Sequence, residues 1–113
     1  DKIPEVTDSL IIFIEKEDEK SEMPLFVVMK EGFTLNEGIK NKIRSTLRKD
    51  YTPRHVPDEI IQIDEVPYTI SGKKMETPIK RILSGIDPNK VLNFDAVKNP
   101  ESLNFFIQFA KNL

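Results

Sequence analysis

Two short apolar runs near the start of the chain constrain its fold more than any other feature. The first is Ser9–Glu15, with the sequence SLIIFIE, and the second is Pro24–Lys30, with the sequence PLFVVMK. Both are rich in β-branched residues and too short for a buried helix, so each predicts a buried strand. The charged connector Lys16–Met23 predicts a solvated turn, and a link this short favours an antiparallel pair.

Helical spacing follows the second run. Thr34 and Glu37 have the spacing of a capping box, which predicts that a helix begins at Thr34. One apolar stripe recurs every four residues, at Leu35, Ile39, Ile43 and Leu47. A basic stripe has the same spacing, at Lys40, Arg44 and Arg48. The simplest interpretation of the basic stripe is a solvated helix face.

The second half of the chain predicts one more strand and two more helices. Prolines in residues 53–57 end the first helix, and Ile60–Asp64 predicts a third strand beside one of the first two. Thr77 and Pro78 predict an N-cap followed by the first helical residue, and Gly85 predicts the end of that helix.

The last helix is predicted to begin at Asn99-Pro100, after an irregular stretch at residues 86–98. We expect its aromatic residues to be core rather than a stacking platform; they are Phe105, Phe106 and Phe109. The order β-β-α-β-loop-α-α predicts a small α+β domain, with a sheet of about three main strands flanked by helices. We expect residues 1–113 to form a single domain.

Composition excludes several classes of site. The chain has 17 basic and 19 acidic side chains and a net charge of -2, which disfavours binding to a nucleic-acid backbone. It has no cysteine and one histidine, so disulfides and Cys- or His-rich metal sites are excluded, and we expect no metal site. His55 is predicted to be structural rather than a general base. No apolar run is long enough to span a membrane, and no signal peptide is recognised. Because the chain starts at Asp1, we interpret it as a fragment of a longer protein.

The segment Pro67–Lys74, PYTISGKK, is a predicted loop with a distinctive end. Gly72 allows unusual backbone dihedrals and leaves the tip open. Lys73 then projects a compact cation suited to phosphate or carboxylate oxygens. Residue chemistry alone leaves adenylation, phosphate binding and simple solvation open.

Pro67 to Lys73 resembles the last core motif of the adenylate-forming superfamily, a Pro-x-Thr-x-Ser-Gly-Lys loop. Within it, the group of acetoacetate–CoA ligases is similar in four further segments, so the resemblance covers nearly the whole chain. These are PLFVV from Pro24, PRHVPD from Pro53, SGKKMETPIKRILSG from Ser71, and the helix start Asn99–Leu103.

The resemblance implies that the chain is the C-terminal lid domain of a larger ligase, inactive alone, whose partner is its own large N-terminal adenylation domain. Such enzymes convert acid, ATP and CoA to acyl-CoA, AMP and pyrophosphate, with Mg²⁺ bound with ATP mainly by the large domain. Lys73 would be catalytic in adenylation, supported by Thr69, Ser71 and Gly72, after which the lid would swing to present another face. Acetylation of Lys73 would then abolish adenylation by removing its charge.

The resemblance also implies that Arg48 contacts a phosphate of CoA, with Lys49 and Arg54 as neighbouring candidates. ATP and CoA supply indicates a cytoplasmic enzyme. Three alternatives stay open: a lid for acetate or another short acid, a non-catalytic interaction module with the same fold, and phosphate-backbone binding through the basic stripe. The acid would be chosen in the large domain, outside this chain.

Overall fold

The computed structural model describes residues 3–14, 22–50, 57 and 59–112. Its three strands form one mixed sheet in the order β1-β2-β3. Strand β1 is Val6–Ile11, β2 is Pro24–Met29 and β3 is Glu59–Ile63. Strand β1 is antiparallel to β2, and β3 is parallel to β2. The antiparallel pair and the neighbouring third strand are confirmed. Predictions for residues 15–21, Arg54, His55 and Leu113 fall outside the described residues.

Strand β1 begins three residues earlier than predicted, because Thr7 and Asp8 interrupt the apolar pattern from which the strand was predicted. The register with β2 shifts between Val6 and Asp8. Val6 therefore packs in the cluster on one face of the sheet, whereas Leu10 packs in the cluster on the other. Without an extra residue, positions four apart would share a face. Asp8 pairs with Val28, which belongs to the same face as Leu10.

Helix α1 spans Glu37–Asp50, and the predicted capping box at its start is wrong. The cap is Asn36, whose side-chain oxygen accepts from the Ile39 amide at 2.9 Å while its carbonyl accepts from the Lys40 amide at 2.9 Å. Asn is as good an N-cap as Thr, and it stands directly before the first helical residue. The apolar stripe is confirmed: Ile39 and Ile43 are buried, and Leu35 and Leu47 pack beside them.

Helix α2 spans Glu76–Leu83 and begins with Met75 at the N-cap, so the prediction that Thr77 caps this helix is wrong. Burial of Met75 decides the start, and Pro78 is tolerated because first-turn amides need no helical partner. The predicted end at Gly85 is confirmed. Gly85 has φ +101°, its amide donates to Ile82, and the next amide donates to Arg81, each at 3.1 Å.

Residues 86–98, predicted to be irregular, contain helix α3 at Pro88–Val91 and a 3₁₀ turn at Phe94–Ala96. Asp87 and Asn93 cap these short turns with their side chains, which the apolar pattern does not reveal. Another 3₁₀ turn, Pro100–Ser102, leads into helix α4, Leu103–Lys111. The phenylalanines of α4 all pack edge-on against Phe26. Phe106 is fully buried, as predicted for core, whereas Phe109 is half-buried and Phe105 is 36% exposed, so the core prediction is wrong for Phe105.

The sheet is covered on both faces. The larger core lies between one face and helices α2 and α4, and includes Phe26, Ile79 and Phe106, each fully buried. The second core lies between the other face and α1. The α+β prediction is confirmed. In the described part of the chain, no helix has the length and apolarity needed to cross a membrane.

Candidate functional site

The PYTISGKK segment is a hairpin rather than a featureless loop. Tyr68 and Lys74 face each other in an antiparallel bridge. The Thr69 amide donates to the Lys73 carbonyl at 2.8 Å, and the Gly72 amide donates to the Thr69 carbonyl at 2.8 Å. Gly72 has φ +87°, the left-handed position that three-residue hairpin loops require. The turn therefore needs glycine for its backbone.

A second set of hydrogen bonds, made by backbone groups and by the Asn99 side chain, joins the hairpin to the segment before α4. The Ile70 amide donates to Ala96 at 3.0 Å, and the Lys98 amide donates to Tyr68 at 2.9 Å. Asn99 accepts from the Tyr68 amide at 3.0 Å. The side-chain nitrogen of Asn99, Nδ2, also donates to the Val66 carbonyl at 3.0 Å. The hairpin is thus tied along one arm to a distant part of the chain.

The predicted site residues lie together at the tip. The Thr69 hydroxyl accepts from the Lys73 amide at 3.1 Å and lies 2.9 Å from the Ser71 hydroxyl. Lys73 is exposed, and its ammonium has no hydrogen-bond or salt-bridge partner among the residues that the structure describes. Ile70 beside it is 67% exposed. The tip therefore combines a hydrogen-bonded backbone with a cation that has no partner among the described residues.

The base of the hairpin is held by Asp8 of β1. One carboxylate oxygen accepts from the Tyr68 hydroxyl. The other accepts from the Ser9 amide at 2.8 Å and lies 3.3 Å from the Lys74 ammonium. That ammonium also donates to the Ser9 carbonyl at 2.7 Å. The Lys74 ammonium, unlike that of Lys73, is therefore bound to β1.

The charges of this group follow from its contacts. Burial by itself raises the pKa of Asp8, but hydrogen bonds from Tyr68, the Ser9 amide and Lys74 outweigh it, and the net pKa is lowered. The hydrogen bond to Asp8, with burial and the adjacent negative charge, raises the pKa of Tyr68 to about 12. Near neutral pH, a carboxylate therefore accepts from a neutral phenol and an ammonium.

Arg48, the predicted CoA ligand, lies elsewhere. It is exposed in the last turn of α1, with exposed Lys49 beside it. Helix α1 packs on the sheet face opposite to that of Tyr68, so the structure does not bring Arg48 and Lys73 together. Arg54, the third candidate, lies outside the described residues.

Sequence reasoning missed the residues at the base of the hairpin. Asp8 is 60 residues from Tyr68, and Ser9 is 65 residues from Lys74. Asn99 was predicted only as part of a helix start. The polar pair Asp8-Ser9 before a strongly apolar run was the available signal, but it indicated only where the buried run begins.

A family model described as AMP-binding enzyme C-terminal domain matches residues 2–73. The match includes all three strands, α1 and the hairpin as far as Lys73. The chain belongs to this family. Helices α2 to α4 lie beyond the matched range.

Individual relatives of this AMP-binding C-terminal domain extend the likeness to the whole chain. Acetoacetyl-CoA synthetase of Caenorhabditis elegans is 41% identical over 96% of the chain and 15% of its own length. Malonamoyl-CoA synthetase of Penicillium aethiopicum is 35% identical over 94% of the chain and 15% of its own length. The structure of acetoacetyl-CoA synthetase from Streptomyces lividans matches with a TM-score of 0.89 and 38% identity, over 98% of the chain and 16% of that protein. The chain thus spans about one sixth of these relatives.

Proposed function

We propose that this AMP-binding C-terminal domain is the lid of a longer ATP-dependent acid–CoA ligase, and that Lys73 is its adenylation lysine. In the first half-reaction a carboxylate oxygen attacks the α-phosphorus of ATP, giving acyl-adenylate and pyrophosphate. In the second, the CoA thiol attacks the acyl carbon and AMP leaves. The observation that carries the proposal is the contrast at the tip of the hairpin. Its backbone is held by hydrogen bonds, yet the Lys73 ammonium is exposed and has no partner among the residues that the structure describes.

The chemistry suits such a group. Two anions, a carboxylate and a phosphate, must approach each other in the first step, and a nearby fixed cation stabilises the charge that develops as they react. An ammonium on a flexible stem can contact oxygens of both. The hydroxyls of Thr69 and Ser71 and the left-handed Gly72 support it by holding the turn from which Lys73 projects.

The remaining substrate contacts belong to the rest of the longer protein. ATP and CoA are the substrates we propose, in a cytoplasmic reaction. Across the residues that the structure describes, no group of three His, Asp or Glu side chains could hold a metal ion. The described residues therefore do not fit a Mg²⁺ site, and we propose that Mg²⁺ binds with ATP mainly in the large domain.

For the second half-reaction we propose that Arg48 contacts a phosphate of CoA. Its exposed guanidinium at the end of α1 suits phosphate recognition. Because α1 and the hairpin lie on opposite faces of the sheet, one orientation of the lid would direct Lys73 to the active site and another would direct Arg48 there. A swing of the lid between half-reactions accounts for both.

The test uses the full-length protein that contains this chain. Lys73→Ala should lower acid-dependent pyrophosphate release at least about 100-fold, since it removes charge stabilisation of the transition state. Thioester formation from supplied acyl-adenylate should be retained. Lys90→Ala, which removes another exposed lysine, is the control and should behave as wild type. Pyrophosphate release by Lys73→Ala at the wild-type rate would overturn the assignment.

The acid we propose is acetoacetate, supported by the worm and Streptomyces relatives. Malonamate is the second candidate, because the Penicillium relative, with a different acid in its name, is nearly as similar to this chain. Pyrophosphate release by the full-length protein should be compared with acetoacetate, malonamate, acetate and propionate. A kcat/KM for acetoacetate at or below that for malonamate would transfer the proposal to the second acid.

A further inference from the structure

One carboxylate holds both arms of the hairpin. Tyr68 and Lys74 are opposite each other at the base of the two arms, and Asp8 contacts both side chains, one with each oxygen. The Ser9 amide occupies the same oxygen as Lys74 and orients the carboxylate. Asp8 and Lys74 remain partly exposed, at 28% and 37% of their side chains. The contact is therefore held by several charge-assisted hydrogen bonds together, rather than by one isolated ion pair.

The bulge in β1 is what makes this contact possible. The shift between Val6 and Asp8 changes the face to which the strand's side chains point. Asp8 thereby lies on the side where Tyr68 packs against the larger core. With unbroken alternation from Val6, it would face the cluster beneath α1 instead.

The contact also distinguishes two adjacent lysines. Lys74 donates to the Ser9 carbonyl and pairs with Asp8, which holds its stem against the edge of β1. Successive residues in an extended arm point to opposite sides, so anchoring Lys74 directs Lys73 away from the sheet. The Thr69 hydroxyl then fixes the Lys73 amide.

We propose that Asp8 is a positioning residue for adenylation. It binds the side chains of Tyr68 and Lys74, so that Lys73 alone is presented to the reacting anions. This inference rests on the proposed role of Lys73. Asp8 itself would touch no substrate. It acts by keeping the hairpin in one geometry, and small displacements of a catalytic group can cost up to about 100-fold in rate.

The experiment compares Asp8→Asn, Tyr68→Phe, Lys74→Met and the double variant Asp8→Asn/Lys74→Met in the full-length protein. Asp8→Asn should lower kcat for pyrophosphate release about tenfold, with KM for ATP and for the acid unchanged. Tyr68→Phe and Lys74→Met should lower it about threefold to tenfold. The double variant should be no slower than Asp8→Asn, because both changes disrupt one contact. Lys74→Arg should restore most of the Lys74→Met loss.

A matched control lies at the start of β1. Lys42 of α1 donates to both oxygens of Glu5 at 3.1 Å, a similar lysine–carboxylate pair away from the hairpin. Glu5→Gln and Lys42→Met should leave kcat unchanged. Amide exchange by mass spectrometry gives a readout independent of activity: peptides covering residues 67–75 should exchange faster in Asp8→Asn and not in Glu5→Gln.

The outcomes separate this inference from the proposed function. If Lys73→Ala is inactive while Asp8→Asn, Tyr68→Phe and Lys74→Met all match wild type, the role of Asp8 is overturned and the lysine assignment stands. If Lys73→Ala is fully active, the function is overturned; faster exchange in Asp8→Asn would then leave Asp8 as an anchor of the hairpin. Unchanged amide exchange of residues 67–75 in Asp8→Asn would show that Asp8 does not hold the hairpin in place, which overturns the inference.

Discussion

The hairpin at residues 67–74 and helix α1 carry the two sets of proposed ligand contacts, and they are held in place differently. The charged face of α1 follows from helical periodicity, which also brings Glu37 and Lys40 together as a 3.7 Å pair one turn apart. Its one distant side-chain pair among the described residues, Lys42 with Glu5, lies away from Arg48. The hairpin depends on partners at Asp8 and Asn99, far away in sequence.

The difference bears on how well each region tolerates substitution of its cation. We expect that an exposed arginine at the end of a helix can be replaced by lysine and still bind a phosphate, because lysine also binds phosphate, as a point charge. The tip of the hairpin has one cation on a backbone held from two sides. We therefore expect Lys73 to tolerate change far less than Arg48.

Conservative exchange of the two cations tests this comparison and should give the largest difference. Lys73→Arg should lower pyrophosphate release about 100-fold, since a planar guanidinium cannot reproduce the point contact of an ammonium. Arg48→Lys should raise KM for CoA no more than about threefold and leave pyrophosphate release unchanged. Equal losses in the two variants would break the comparison.

Removing the helix cap gives a moderate effect that sharpens the same contrast. Asn36→Ala should destabilise the first turn of α1 by about 1 kcal/mol, because the Ile39 amide loses its acceptor. Amide exchange there should rise about fivefold, with pyrophosphate release unchanged. Thr34→Ala is the control and should change neither. A larger rise in amide exchange for Thr34→Ala than for Asn36→Ala would instead support the predicted capping box of Thr34 and Glu37.

The smallest effect concerns pH. The pKa of Tyr68 is raised to about 12, so its contribution to stability is complete below about pH 10 and is lost as pH rises towards 12. The pKa of Asp8 is lowered, so its contribution is present above its ordinary value and is lost as pH falls through the folded value. The contacts of Asp8 with the hairpin should therefore be intact across the neutral pH range.

Ultraviolet difference titration of wild type against Tyr68→Phe measures this directly. At about pH 10, where an ordinary phenol is half ionised, Tyr68 should remain neutral. In an Asp8→Asn background its ionisation should move down towards the ordinary value, because the hydrogen bond and the negative charge are gone. A Tyr68 that is half ionised at about pH 10 in the wild type would contradict the hydrogen bond to Asp8.

Several elements could be predicted because their signals are local. The strand Pro24–Met29 reads as a continuous apolar run, the stripe of α1 repeats every four residues, and Gly85 supplies the positive φ that ends α2. The hairpin tip was predicted through a motif that includes Thr69, Ser71, Gly72 and Lys73. Its catalytic role remains a proposal.

Other features could not be predicted, because competing local signals look alike. Asn36 is the stronger cap by residue type, but Thr34 has the capping-box spacing to Glu37, and the two signals point to different helix starts. Met75 begins α2 ahead of Thr77 because its side chain is buried in the core. The bulge at β1 has no residue signature of its own.

The sequence by itself determined the α+β order, the apolar faces and the chemical identity of the hairpin tip, because periodicity and turn chemistry act between near neighbours. Only the tertiary structure decided that Lys74 is paired while Lys73 has no side-chain partner among the described residues. That choice depends on a strand bulge that turns Asp8 towards Tyr68 and Lys74. A hydrogen bond across 60 residues is set by packing, and no local pattern encodes it.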